Sequence, residues 1–477
     1  MLATDPTTLL DDLDPAQREA VETTRGPLVI LAGAGTGKTR VIARRVAYAL
    51  ATAVVRPRDV LVVTFTDKAA GEMRTRLAAL GQPAATASTF HAAALRQLRH
   101  FWPIVHGRAV PTVMASKAPL LAPLAASLPG GYRYLALRDL AAEIEWAKAR
   151  RITPAAYMVS VAGGGHDGPL PPDLMAGLYR RYETAKDRAG VIDFEDMLER
   201  TVELLATDPK VAAEVHDRYR WFSVDEYQDT NPLQQALLEA WLGGRDDLAV
   251  VGDEDQTIYT FTGATSDYLT GFGRRYPGAR TVRLESNFRS TPEVLGLANR
   301  VLAAGRAAPD ERRPGEAART PKQLIPTVPS GPAPSVGGFE SGEDELGAVV
   351  SAIGDRLRED LAPGEIAVLV RTNAQLPALE DGLAQAGIPF HVRGERFFSR
   401  PEVRRALRVA AALDRPALRR VAEDPPDDGP LPTRLSAAFE RELGVRADVV
   451  PDSEAGRERH GAIVTLLGLA TALAGAD

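Results

Sequence analysis

Short apolar runs alternate with stretches of helical spacing through the first part of this chain. A run of four to eight apolar residues beside turn-forming residues is typical of a buried strand, whereas apolar residues three or four apart are typical of one helix face. Strands that alternate with helices predict an α/β fold with a parallel sheet. The predicted strands cover residues 28–31, 59–66, 220–224, 248–251 and 281–284.

The first predicted strand leads into small residues and then into a predicted helix. Glycines in such a loop let backbone N–H groups curl around a polyphosphate, and the helix N-terminus adds positive potential. Lys38 can reach the β- and γ-phosphates, and the Thr39 hydroxyl can ligate Mg²⁺. A glycine-rich turn with an accidental lysine is the alternative, but the flanking strand and helix favour nucleotide binding. The loop is Ala32-Gly33-Ala34-Gly35-Thr36-Gly37-Lys38-Thr39, with alanine at the first position of the phosphate-loop pattern.

Polar residues suited to nucleotide hydrolysis follow later predicted strands. Asp225 can hold Mg²⁺, and the adjacent Glu226 can hold the metal or activate the attacking water. Gln256 can sense a γ-phosphate. Arg289 can stabilise charge on that phosphate as an arginine finger. These residue types, taken together with the phosphate loop, predict a nucleotide-hydrolysing site.

A short helix is predicted to begin at Pro15, because Asp14 is a good N-cap and proline suits the first helical position. Gln17 in this helix can contact the edge of an adenine with its side-chain amide. A single surface glutamine is, however, more often solvated than specific.

Aromatic residues stand beside hydroxyl residues where predicted strands end. Ligands bind at the carboxyl edge of open parallel sheets, and aromatic rings can stack on nucleic-acid bases. Phe65 taken alone fits a core position equally well, and a lone histidine is usually structural. Tyr259 and Phe261 follow Gln256 closely, so one short segment can link nucleotide state to base stacking, as a translocating motor requires. The strand-end stretch is Thr64-Phe65-Thr66, and Thr89-Phe90-His91 is similar to it, with hydroxyl, aromatic and imidazole side chains in sequence.

Residues from about 94 to 190 are predicted to be helical, with basic clusters on polar faces. Such clusters are usually solvated, but their concentration in one inserted region is also consistent with a surface that follows phosphates. Further along, a second α/β pattern is predicted from residue 365, with a short strand at 390–392. The basic residues are Arg96, Arg99, His100, Lys148, Arg150, Arg151, Arg180, Arg181, Lys186 and Arg188.

The composition is that of a globular protein with several domains or subdomains: 477 residues, 45% hydrophobic and 25% charged. Because there is no cysteine, disulfides, thiolate zinc sites and thiol nucleophiles are excluded. A net charge of −6 argues against general coating by nucleic acid but allows a local basic groove. No signal peptide or membrane span is predicted, so a cytoplasmic location is expected.

The motifs together resemble the UvrD/PcrA/Rep group of superfamily 1 DNA helicases, over roughly residues 13–405. Within the group, residues 256–264 are most similar to the second UvrD-like branch of actinobacteria. The stretches that carry the resemblance are 13–17, 32–40, 64–66, 89–91, 225–229, 252–263, 284–290 and 371–375.

The resemblance implies ATP and Mg²⁺ as cofactors, single-stranded DNA and duplex junctions as partners, and 3′→5′ helicase activity in repair or replication. It adds Arg40 and Phe288 as nucleotide contacts, and Arg371 and Asn373 as DNA contacts. It implies P-loop (RecA-like) motor domains with helical insertions. The implied domains are motor domain 1A at 1–93 and 190–285, insertion 1B at 94–189, motor domain 2A at 286–402, and the start of insertion 2B at 403–477.

Three departures from the family pattern change the expectation. Phe261-Thr262 stands where many members have Trp-Arg, and Phe288 replaces the adenine-stacking tyrosine. Motifs V and VI are not found, so we expect a chain that is truncated before them. The resemblance implies that motif VI supplies a second arginine to the γ-phosphate. Because an arginine finger can raise the rate about 10³–10⁵-fold, the alternative is an ATP- and DNA-binding module with little or no hydrolysis.

Overall fold

A computed structural model describes residues 5–163, 166–307, 322–392, 401–413 and 431–446, with single positions between 460 and 467. The chain divides into two compact units, Met1–Ser335 and Val336–Asp477. The strands are β1 (Leu28–Ala32), β2 (Val60–Thr64), β3 (Thr86–Thr89), β4 (Thr112–Val113), β5 (Val191–Ile192), β6 (Trp221–Val224), β7 (Leu248–Gly252), β8 (Arg280–Leu284), β9 (Ser286–Asn287) and β10 (Ile325–Pro326).

The helices of the first unit lie between these strands and after them. No described helix is long and apolar enough to cross a membrane. The first-unit helices are α1 (Pro15–Glu22), α2 (Lys38–Ala51), α3 (Asp67–Ala79), α4 (Phe90–His106), α5 (Ala118–Ala126), α6 (Leu137–Ala149), α7 (Tyr157–Val161), α8 (Pro172–Ala189), α9 (Phe194–Thr207), α10 (Pro209–Arg218), α11 (Pro232–Leu242), α12 (Asp267–Thr270), α13 (Phe272–Arg275) and α14 (Pro292–Ala307).

A parallel sheet of six strands, in the order β3-β2-β6-β7-β1-β8, is the centre of the first unit. This confirms the predicted α/β class and all five predicted strands, with bounds shifted by one or a few residues. β3 was not predicted, because its residues are small and polar and form no apolar run. All six strands run in one direction, so the phosphate loop after β1 and the acids after β6 lie at the same sheet edge.

Successive side chains of the central strands point to opposite faces, and both faces are covered. Val29 and Leu61 belong to a core that includes residues of α4, α9 and α11. Ile30 and Val62 belong to a second core that includes residues of α1, α2 and α3. Burial on both faces explains why these strands are almost continuously apolar instead of alternating with polar residues.

The helical insertion is closed at its base by a short parallel pair, β4 with β5. Helices α5 to α8 have a separate core that includes Leu121, Ile144, Met175 and Tyr179. By contrast, α4 contributes Phe90 to the core under the sheet, so the separate packing begins only at α5. The boundary of the inserted domain near residue 94 stays a prediction.

The second unit contains α15 (Gly342–Arg358), α16 (Leu376–Gln385), α17 (Pro401–Leu413) and α18 (Leu431–Leu443). Its described residues contain no strand, so the strands predicted near 365–370 and 390–392 are wrong for this structure. Leu369 is 93% exposed. A strand requires a neighbour that supplies hydrogen bonds, and an apolar run alone cannot provide one.

The described residues between 286 and 335 belong to the first unit by their contacts, although the sequence assigned them to the start of motor domain 2A. The pairing of β9 with β10 joins the two ends of this stretch. The assignment of motor domains along the chain stays a prediction. Residues 393–400 of the predicted motor domain 2A lie outside the described residues.

Candidate functional site

The loop after β1 turns through two glycines in left-handed conformations. Gly35 has a φ of +73°, and Gly37, the residue that precedes α2, has a φ of +83°. A Cβ atom on Gly35 would lie 2.6 Å from the amide nitrogen of Asn287 and 2.9 Å from the Cβ of Arg289. A side chain at this position is therefore excluded by both backbone conformation and space.

Two hydrogen bonds stabilise the loop, one within the loop itself and one from helix α1. The Thr36 hydroxyl donates to the carbonyl oxygen of Gly33 at 2.8 Å. The amide Nε2 of Gln17 donates to the carbonyl oxygen of Thr36 at 2.9 Å, and Gln17 is fully buried. Gln17 and Asp14 also form the capping box of α1, which confirms the predicted helix start. The Gln17 amide, which the sequence predicts to contact adenine, is thus hydrogen-bonded to the loop itself.

The acids after β6 face the lysine of the loop. The Lys38 ammonium lies 3.4 Å from Oε2 of Glu226. Asp225 is buried, and burial together with the Glu226 charge raises its pKa to about 7, while Lys38 opposes the shift. Glu226 itself has a φ of +50°, a conformation that costs a non-glycine residue about 1–2 kcal/mol. Strained backbone at an acid of this kind is typical of a functional position.

The β9 region reaches the same loop from the other side. The Asn287 amide donates to the carbonyl oxygen of Ala34 at 2.6 Å, and the backbone N–H of Phe288 donates to that of Gly35 at 2.9 Å. Phe288 remains 43% exposed, so its ring is free to contact a ligand. Asn287 was not singled out by the sequence, although it lies within the quoted motif.

Arg40, the other basic residue assigned to the nucleotide, points elsewhere in this conformation. Its guanidinium donates to the carbonyl oxygen of Asp12 at 3.0 Å. Thr39 lies beside it in the first turn of α2, next to Lys38.

The stretch after β7, residues 253–263, extends from the acids to exposed aromatic rings. Gln256 donates from Nε2 to Oδ2 of Asp253 at 2.6 Å. The Lys322 side chain is buried and forms ion pairs with Asp253 and, at 3.2 Å, with Asp255. No motif found in the sequence includes Lys322, so no sequence signal indicated this buried charge.

Three aromatic rings, which we call the aromatic ledge, continue along this segment: Phe65, Tyr259 and Phe261. The ring centroids of Phe65 and Tyr259 are 4.7 Å apart, and those of Tyr259 and Phe261 are 6.0 Å apart. Phe261 is 71% exposed. The structure therefore brings together the three rings that the sequence proposed for base stacking.

The second strand-end stretch is different, and the expectation for Phe90 needs correction. Phe90 is 4% exposed and stacks on Trp241 at 5.9 Å, so its ring belongs to the core. The Thr89 hydroxyl is buried, caps α4 and donates to Asp67. Thr64 is also buried, with its hydroxyl bonded to the carbonyl oxygen of Thr66. These groups stabilise the sheet edge and are not presented to a ligand.

His91 and Thr66 lie closer to the surface. His91 is half-buried, with its ring 6.1 Å from that of Phe194, and burial lowers its pKa to about 4. Thr66 is exposed and caps α3 by accepting from the N–H of Ala69. Arg371 and Asn373 are exposed residues of the second unit.

Two lysines of the predicted phosphate-following surface are buried instead. Lys148 lies 2.7 Å from Asp193 and 2.6 Å from Asp196, and Lys186 lies 3.2 Å from Asp193. The acidic partners raise the pKa of Lys148 well above its ordinary value despite its burial. The expectation that these two residues face phosphates is therefore wrong, because their charges are neutralised inside the protein.

No group of three or more His, Asp or Glu side chains in the described part of the chain could hold a metal ion.

A phosphate-binding loop between a buried strand and a helix, with paired acids on a parallel strand of the same sheet, defines a P-loop nucleotide-binding domain. Comparison with known proteins gives the family. Residues 13–277 match the UvrD/REP helicase N-terminal domain, and residues 282–443 match the UvrD-like helicase C-terminal domain. The chain belongs to the UvrD-like helicase family.

Three relatives show the extent of the similarity. ATP-dependent DNA helicase UvrD2 of Mycobacterium tuberculosis is 46% identical over 418 residues, which cover 85% of this chain and 58% of the relative. UvrD1 of the same species is 36% identical over 439 residues, which cover 87% of this chain and 55% of the relative. DNA helicase II of Escherichia coli is 33% identical over 441 residues, covering 87% and 57%. The chain thus spans somewhat more than half the length of the curated relatives it matches, and the similarity to UvrD2 confirms the expected likeness to the second actinobacterial branch.

Proposed function

We propose that this chain hydrolyses ATP and uses the energy to move 3′→5′ along single-stranded DNA, opening duplex at a junction. The polarity and a role in repair or replication rest on the family resemblance. The motor domains, insertions and cytoplasmic location are proposed as the sequence assigned them.

In this proposal ATP lies on the loop of residues 32–39. Lys38 binds its β- and γ-phosphates, Phe288 stacks on adenine, and Arg289 stabilises charge on the γ-phosphate. The tight left-handed turn at Gly35 supports this assignment, because it leaves the backbone rather than side chains to face a phosphate. Arg40 is a further contact that would have to leave the carbonyl of Asp12.

Mg²⁺ fits the oxygen donors at this edge of the sheet. The Thr39 hydroxyl and the Asp225 carboxylate are hard ligands of the type that Mg²⁺ prefers, with phosphate oxygens completing its shell. Bound there, Mg²⁺ supplies neutralisation of charge on the phosphates. Glu226, which the sequence assigned both as metal ligand and as base, lies beside Lys38, and in this proposal it orients the attacking water molecule.

The observation that carries the proposal is the position of the 253–263 segment. One short stretch holds Gln256, which is bonded to Asp253 near the acids, and Tyr259 and Phe261 of the aromatic ledge. Each base that stacks on such a ring contributes about 1–3 kcal/mol. A nucleotide-dependent change in this segment therefore reaches the strand directly.

The experiment is ATP hydrolysis by the 477-residue chain with and without single-stranded DNA, followed by strand displacement on duplexes with a 3′ or a 5′ tail. We expect DNA to stimulate hydrolysis and only the 3′-tailed duplex to be opened. A rate unchanged by DNA would contradict the motor assignment. Binding of ATP and of DNA without hydrolysis would instead identify the chain as a passive ATP- and DNA-binding module. No structural observation favours that alternative.

A further inference from the structure

The side chain of Gln228 joins two parts of the site that are distant in sequence. Its Nε2 donates to Oε2 of Glu226 at 2.8 Å, and its Oε1 accepts the backbone N–H of Asp253 at 3.0 Å. Gln228 is 1% exposed, so its own amide is shielded from water. One rigid amide therefore connects the acid after β6 to the first residue of the 253–263 segment.

We propose that Gln228 is a positioning residue that couples the nucleotide site at Glu226 to the aromatic ledge. The inference deepens the proposed function and rests on its assignment of the two ligand sites. Gln228 touches neither ligand in this scheme. Its effect is on how strongly the binding of ATP and the binding of single-stranded DNA influence each other.

A glycine on β7 gives independent support for this contact. A Cβ atom on Gly252 would lie 2.6 Å from Oε1 and 3.3 Å from the backbone nitrogen of Gln228. The strand therefore needs glycine at this position because the Gln228 side chain lies against it. A glycine inside a strand otherwise weakens it, and close approach of another group is the usual reason for its presence.

The chain on both sides of Tyr259 and Phe261 is hydrogen-bonded close to the same turn. The turn after Glu226 is the short helix Tyr227–Asp229. Gln228 in this turn holds Asp253, and the carbonyl oxygen of Thr230, the residue after the turn, accepts the N–H of Thr265, two residues beyond the segment, at 3.3 Å. A shift of the turn therefore acts on the backbone before and after Tyr259 and Phe261.

Glu226 is the point at which a nucleotide acts on this path. Its carboxylate is shared between the Lys38 ammonium and the Gln228 amide. A γ-phosphate competes with Glu226 for Lys38. A Glu226 carboxylate released from the lysine takes a new position, and the Gln228 amide that is hydrogen-bonded to the same oxygen shifts with it.

Beyond Gln228, the path continues through the Asp253 side chain. Oδ1 of Asp253 accepts the backbone N–H of Asp255 at 3.1 Å, and Oδ2 accepts the Gln256 amide. Lys322 neutralises the carboxylate. Asp253 is therefore fixed relative to Gln256, and Tyr259 is the third residue after Gln256.

The test is a binding measurement on the full 477-residue chain. The dissociation constant for a fluorescent oligodeoxythymidylate is measured with and without adenylyl imidodiphosphate and Mg²⁺. In the wild type we expect this analogue to change the DNA affinity at least about fivefold. Methionine has a volume similar to that of glutamine but no amide. In Gln228→Met the ratio of the DNA dissociation constants with and without the analogue should fall to within about twofold of one, while the DNA and the analogue each still bind alone.

Gln235→Met is the matched control. Gln235 is also buried, accepts from the Tyr227 hydroxyl at 2.7 Å and donates to Glu239 at 2.8 Å, but it does not contact Glu226 or Asp253. This variant loses the same kind of bridge and should keep the wild-type ratio. If Gln228→Met does not fold, Gln228→Glu keeps the acceptor for Asp253, loses the donor to Glu226, and should lose the coupling too.

Three results would overturn the inference: a wild-type chain without coupling, a Gln228 variant that retains it, or equal loss in Gln235→Met. The failure of the proposed function is a different observation, namely no hydrolysis stimulated by DNA. Coupling that is present in the wild type and lost in the Gln228 variant supports the inference even when no ATP is hydrolysed.

Discussion

The Lys38 ammonium lies 3.4 Å from the Glu226 carboxylate, so the lysine after β1 and the acid after β6 form an ion pair across the intervening strand β7. The lysine side chain is 12% exposed and the glutamate side chain 37% exposed. The pair is accessible enough for an anionic ligand to compete with the carboxylate for the lysine.

Replacing Lys38 tests the nucleotide site. Lys38→Ala removes the charge that binds the β- and γ-phosphates, and we expect ATP turnover to fall at least about 100-fold. Lys210→Ala is the control, since Lys210 is an exposed lysine of α10 away from the loop. Hydrolysis is followed by phosphate release, and equal rates for the wild type and Lys38→Ala would remove the loop from the mechanism.

Phe261 tests the aromatic ledge. Phe261→Ala should weaken binding of single-stranded DNA by about 1–3 kcal/mol, because one stacking surface is lost. Its 71% exposure means that the free energy of unfolding should change by no more than about 0.5 kcal/mol. Tyr134→Ala, which removes an aromatic ring with 81% exposure from the insertion, should leave DNA binding unchanged in a fluorescence anisotropy titration. Equal losses in the two variants would show that the ledge has no special role.

The buried ion cluster at the base of the insertion predicts a large effect on stability. Lys148→Met removes one of the two buried lysines that neutralise Asp193 and Asp196 and leaves Lys186 as their remaining partner, which should cost about 3–5 kcal/mol in urea unfolding. Arg151→Ala breaks a pair with Glu199 in which both side chains are more than 40% exposed, and it should cost less than about 1 kcal/mol. A small loss in Lys148→Met would mean that the cluster relaxes or takes up water.

His91 predicts a pH dependence of stability. Burial lowers its pKa to about 4 from an ordinary value of 6.5, with Asp67 opposing the shift. Below pH 6.5 His91 therefore takes up a proton in the unfolded chain but stays neutral in the folded chain until about pH 4. The free energy of unfolding consequently decreases as the pH falls from about 6.5 towards 4.

His91→Gln removes this titration. Between pH 7 and pH 4 the wild type should lose about 1–3 kcal/mol more unfolding free energy than the variant, as measured by denaturant titration at each pH. Parallel stability curves for the two proteins would show that His91 titrates normally in the folded chain.

Part of the site was predictable because its signals are local. The phosphate loop depends on glycines and a lysine at fixed spacing, and the capping box of Asp14 with Gln17 depends on two residues three apart. The aromatic ledge was also predicted, but from residues 65, 259 and 261, whose meeting depends on the strand order. Lys148 and Lys186 show the reverse, since neighbours along the chain gave no sign of Asp193 as their partner.

The sequence alone determined the α/β class, five of the six strands of the central sheet, the phosphate loop and the family, because each is encoded by short patterns of apolar, small and charged residues. Only the tertiary structure decided that Phe90 is core, that Gln17 braces the loop, and that Gln228 and Lys322 hold Asp253. Burial and pairing of a side chain depend on residues far away in the chain. A hydrogen bond between two distant segments produces no periodic pattern in the sequence of either segment.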